Sequence, residues 1–87
     1  MIERMSFLIA VSQFLASRYP WWGVCHLRFE PKSRTLYLLC VNSEHRSAIF
    51  RDASSLSRLD VGIERFIVIH PGYPDIIIPY VPRQSVE

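Results

Sequence analysis

Glycine, lysine and cysteine are scarce in this 87-residue chain, and each scarcity removes a class of function. The three glycines, Gly23, Gly62 and Gly72, lie far apart, so no glycine-rich phosphate loop can be assembled from them. Two cysteines, Cys25 and Cys40, are too few for a disulfide-stapled secreted scaffold. Combined with His26, His45 and His70 they give no set at zinc-ligand spacing, and no metal or other cofactor is expected. Long apolar runs are missing too. The stretch Met5 to Val11 falls well short of the ~20 residues that a membrane helix needs. It follows Glu3 and Arg4 and has no small-x-small cleavage site, so it does not read as a signal peptide. The expectation is a cytoplasmic protein without membrane contact.

Lysine occurs once and arginine nine times, within a formal net charge of only +2. That balance does not imply nucleic acid by itself. The choice of cation is more telling, because the planar guanidinium suits carboxylate and phosphate recognition and is enriched at interfaces. What the chain has in quantity is apolar surface. Hydrophobic residues make up 49% and aromatics 13%, enough for one core and, in so short a chain, more than one core should hide. An apolar face is therefore expected to remain for a partner.

The register of one hairpin can be worked out from Val24 to Val41. Cys25, Leu27 and Phe29 alternate with His26, Arg28 and Glu30, and Leu36, Leu38 and Cys40 alternate with Thr35, Tyr37 and Leu39. Opposed residues of an antiparallel pair share a face, so both apolar sets are buried together only if paired numbers sum to an odd value. A loop of Pro31-Lys32-Ser33-Arg34 pairs Glu30 with Thr35, for a sum of 65, and puts Pro31 at the second position of a type I turn. The same register sets Cys25 opposite Cys40 on the core side. Two reduced thiols acting as small hydrophobes are the expected state, with a cross-strand disulfide the geometric alternative.

Residues 2 to about 18 contain neither glycine nor proline and read as a helix ended by Tyr19-Pro20. At about 100° per residue, Met5, Leu8, Ile9, Leu15, Ala16 and Tyr19 form a broad apolar face, with Phe7, Val11 and Phe14 on a second strip. So little polar surface suggests association through that strip. Trp21 and Trp22 follow, as a lid on the core or as anchors for a partner. Asn42-Ser43 supplies cap chemistry for a second helix from about Glu44 to Leu56. A third strand runs from Ile63 to Ile69, with Phe66 and Val68 inward and Ile67 and Ile69 on the other face. Beyond it Pro71, Pro74, Pro79 and Pro82 bracket Ile76-Ile77-Ile78 and Tyr80-Val81. Prolines confine such a segment to an edge strand or an extended arm, packed on its own domain or on another subunit.

The order is helix, strand, strand, helix, strand: an α+β fold of αββαβ type over residues 1–70, with a three-stranded sheet, helices on one face and a C-terminal arm over 71–87. This order resembles the small KH-like module of bacterial replication proteins. The run Thr35 to Phe50, an apolar strand, a polar cap and a helix, and the returning strand Gly62 to Ile69 are similar to those of the amino-terminal domain of the initiator DnaA and of the helicase-loading protein DciA. Glu44-His45-Arg46 stand where DciA-like proteins often carry a tryptophan. The resemblance implies a replication-associated docking domain that meets other proteins through its first helix or its sheet edge.

No catalytic constellation is legible, and a non-enzymatic adaptor or accessory subunit is expected, binding a larger protein or itself. Phe7, Val11, Phe14, Trp21, Trp22, Ile76, Ile78 and Tyr80 are the expected interface residues. The alternative is a single-stranded nucleic-acid module. Seven basic residues against three acidic ones lie between Arg18 and Arg58, and Arg28, Lys32 and Arg34 cluster on the hairpin with Tyr37 beside them for stacking. The GXXG loop by which KH domains clamp phosphates is missing.

Overall fold

The computed structural model describes residues 2–23 and 25–82, with side chains from Ser6 onward; the expected roles of Glu3, Arg4, Met5, Val24 and residues 83–87 lie outside the described side chains. Helix α1 (Ile2–Arg18) leads into a short 3-10 turn (Pro20–Trp22), then strands β1 (Cys25–Glu30) and β2 (Thr35–Cys40). Helices α2 (Ser43–Arg51) and α3 (Ala53–Leu56) cross over to β3 (Arg65–Ile69), and β4 (Ile76–Pro79) closes the order. The sheet runs β1-β2-β3-β4, with β2 and β3 parallel and the outer pairs antiparallel.

The hairpin has the expected register, from Cys25 opposite Cys40 to Glu30 opposite Thr35. Its turn is braced by the Glu30 carboxylate, which accepts from the Lys32 backbone N–H at 2.9 Å. Arg34 closes the loop at φ 52°, a left-handed conformation that costs a side-chain-bearing residue roughly 1 kcal/mol. Its carbonyl accepts from the Glu64 N–H at 2.8 Å, which ties the turn to the start of β3.

The expected second helix is interrupted. Asn42 caps α2, its Oδ1 accepting from the His45 N–H at 2.9 Å, but the helix stops at Arg51 and restarts at Ala53. The break falls on Asp52, whose carboxylate Oδ2 accepts from the indole N–H of both Trp21 and Trp22 at 2.8 Å. Gly23, at φ 82°, lets the chain pass the His45 imidazole, with which any side chain there would collide.

One core lies between the helices and one face of the sheet. Val11, Leu15, Tyr19, Trp22, Ile49 and Leu56 meet Leu36, Leu38, Cys40, Phe66, Val68 and Ile78 there. Phe66 and Val68 are fully buried, as their alternation predicts. Tyr19 stacks on Trp22 with ring centroids 4.4 Å apart, and its hydroxyl pairs with Ser55 Oγ at 2.6 Å, so its polar end is satisfied.

The sheet has four strands, not three. The proline-bracketed tail forms β4, antiparallel to β3 with Phe66 opposite Ile78 and Ile67 opposite Ile77. The physical reason is that Ile76 and Ile78 share the parity that covers Phe66 and Val68, which three strands would leave open at the β3 side. Pro74 precedes this edge strand and Pro79 ends it, opposite Arg65, at a position where a missing N–H costs no ladder bond. Past the strand, the Tyr80 N–H donates to Glu64 O at 2.8 Å and the Val81 N–H to Ser57 O at 2.7 Å, so the tail is bound to its own domain as far as Val81.

Candidate docking surface

Alternation along the strands puts a second set of side chains on the face that no helix covers. The pairings run Arg28, Tyr37, Ile67, Ile77 straight across the four strands, with His26, Leu39 and Ile69 in the adjoining row. Ile77 is 62% exposed and Leu39 39%; Tyr37, Ile67 and Ile69 between them are half-buried. This is a contiguous apolar area of five residues, with His26 and Arg28 on its β1 side. Thr35, of the same parity, is buried because Arg65 Nη1 donates to its Oγ1 at 3.0 Å.

The interface residues expected from sequence are distributed otherwise. Val11, Trp22 and Ile78 are buried in the core and leave the interface set. Phe7 packs on Phe29 at a centroid distance of 4.9 Å, and Ile76 and Tyr80 are half-buried. Phe14 and Trp21 are exposed. On α1 the face turned to the core is that of Leu8, Val11, Leu15 and Tyr19, so Ile9 is exposed instead of buried. Ile9 and Phe14 stand about 140° apart around the helix and form no common strip. Ile77, which carries the outer row at β4, was missed: three consecutive isoleucines have no legible parity until β4 is paired with β3.

The basic hairpin is also arranged differently. The Arg28 guanidinium lies over the Tyr37 ring, 4.6 Å from its centroid, and occupies the face expected to stack a base. Arg34 folds back so that its Nη2 is 3.0 Å from where a Gly62 Cβ would stand. Lys32 is exposed at the tip.

A cleft of about 340 Å³ opens between α1 and β1, lined by Leu15, Tyr19, Trp22, Cys25, Leu27 and Leu38 among others. Burial, reinforced by the neighbouring Cys40, pushes the Cys25 thiol up to about 12, and burial also raises Cys40. Both thiols stay protonated at neutral pH and are poor nucleophiles. Among the described residues, no group of three or more His, Cys, Asp and Glu side chains could hold a metal ion. No helix among the described residues is long and apolar enough to cross a membrane. Set against family models, characterised proteins and solved structures, the chain matches none.

Proposed function

We propose that this domain is a non-catalytic docking module that meets a protein partner, a larger protein or a second copy of itself, through the open face of its sheet. The observation that carries the reading is the row Ile67–Ile77, widened by Leu39 and Ile69 and bordered by the Arg28-capped Tyr37, on the sheet face that no helix packs against. Apolar areas of this kind, rimmed by charge, are what protein interfaces cover. A replication-associated role in the cytoplasm belongs to the same proposal and rests on the sequence resemblance alone. The hairpin nucleic-acid reading loses support because Arg28 and Tyr37 satisfy each other.

The test is sedimentation of the chain up to its solubility limit, beside a Leu39→Lys/Ile77→Lys variant. Both substitutions lie on exposed strand positions, so the fold, checked by circular dichroism, is retained. The expected result is association of the wild type that the two lysines abolish. A strictly monomeric wild type whose binding of a hydrophobic dye is unaltered by the lysines would count against the proposal.

A further inference from the structure

We infer that a second site, on the helical side of the domain, binds single-stranded nucleic acid through Arg18, Arg51, Arg58 and Trp21. It is independent of the sheet-face reading and does not use the hairpin.

Three arginines from separate elements converge there. Arg18 ends α1, Arg51 ends α2 and Arg58 follows α3; with Ser54 and Ser55 they line a hollow of about 470 Å³. Arg51 also borders an adjoining hollow of about 500 Å³ whose walls include Trp21, Ser43, Glu44, His45 and Ser47. All three arginines are exposed, Arg18 with its guanidinium 5.8 Å from the centroid of the Tyr19 ring. Asp52 is the one carboxylate in the first hollow, and its Oδ2 is taken by two indole N–H groups. Three guanidinium groups against that carboxylate give a balance of +2 in the first hollow, and Glu44 in the adjoining one brings the two together to +1.

The position of Arg18 and Arg51 at helix C-termini has a purely structural explanation, since a cation there complements the backbone dipole. That explanation reaches neither Arg58, which ends no such helix, nor Trp21. The Trp21 indole is 59% exposed yet fixed, by its bond to Asp52 and by its edge-on contact with Tyr19, centroids 6.0 Å apart at 89°. An exposed aromatic ring already held in one orientation loses little entropy when something flat stacks on it. An acidic peptide would satisfy the arginines, but only one with an aromatic side chain at the matching position would also cover the indole. A duplex would satisfy them too, but its bases are already stacked. An unpaired strand supplies phosphates and a free base together, and that combination is how sequence-tolerant single-strand sites work.

The experiment is fluorescence anisotropy of a labelled oligothymidylate with the full chain. If three phosphates are neutralised, affinity should fall roughly twentyfold between about 50 and 200 mM salt, because the logarithmic slope for single strands is about −0.7 per contact. Trp21→Ala should weaken binding roughly tenfold, within the range known for loss of one base–aromatic stack, and Trp21→Phe should recover part of it. Arg51→Gln and Arg58→Gln, both at exposed positions, should each lower affinity severalfold and flatten the salt slope. Absence of binding at the lower salt overturns the inference. So does binding that survives the two arginine variants but is lost on Arg28→Gln with Lys32→Gln. Equal affinity of wild type and Trp21→Ala, with full displacement by inorganic polyphosphate, would reduce the site to an anion trap and overturn it as well.

Discussion

Individual cationic side chains in this domain repeatedly rest on a neighbour even where they stay exposed. Arg28 covers Tyr37, Arg34 folds over Gly62, and Arg46 lies over Tyr73 while its Nη2 donates to Pro74 O at 2.8 Å. A count of charges along the chain has no access to such pairings, which is why the hairpin cations looked available. The thiols were legible, because strand alternation alone turns Cys25 and Cys40 toward the core. Their raised titration has a consequence for stability. An unfolded thiol loses its proton near pH 9 and the folded Cys25 near 12, so above pH 9 the unfolded chain binds fewer protons and folding is penalised. The contribution of this thiol should be complete below pH 9 and be lost progressively toward pH 12. Thermal unfolding across that range checks it, and a Cys25→Ala/Cys40→Ala variant should show a shallower decline.

At the level of elements, the hairpin and the first helix could be read from local pattern, because each depends on residues close in sequence. The hairpin register followed from parity and loop length, and α1 from the absence of breakers before Tyr19-Pro20. The tail could not be read so fully. Whether Ile76 and Ile78 or Ile77 face inward depends on pairing with β3, across a loop that holds Pro71 and Pro74, and only a long-range register decides it. The interruption of the second helix at Asp52 is of the same kind, since the two indoles that take its carboxylate come from 30 residues or more away. The contrast within β4 gives a direct measurement. Ile78, 4% exposed, should cost about 2–5 kcal/mol when changed to alanine. Ile77→Ala, on the open face, should stay within about 0.5 kcal/mol. Urea titration of both variants checks it, and equal effects would mean that the tail does not pack as a strand of this sheet.

For the molecule as a whole, the expectation of excess apolar surface survives in altered form. Part of what looked like surplus on the first helix and the tail is core, and the uncovered apolar side chains are spread between the sheet face, with Leu39 and Ile77, and the helical side, with Ile9, Phe14, Trp21 and Phe50. The domain is thus two-sided, apolar on the sheet and arginine-bearing on the helices. The two sides share no residue, so changes on one should leave the other intact. Leu39→Lys with Ile77→Lys should leave oligothymidylate affinity within about twofold of the wild type, as expected for separated, independent sites. A larger loss would mean that nucleic acid reaches the sheet face.

Asp52 holds a buried indole and an exposed one on a single oxygen atom. Any loosening of the joint between α2 and α3 releases both rings together, so the intrinsic emission of the two tryptophans becomes one coupled gauge of that hinge. Light from Trp21 alone reports what touches the surface; light from the pair reports whether the scaffold beneath has shifted.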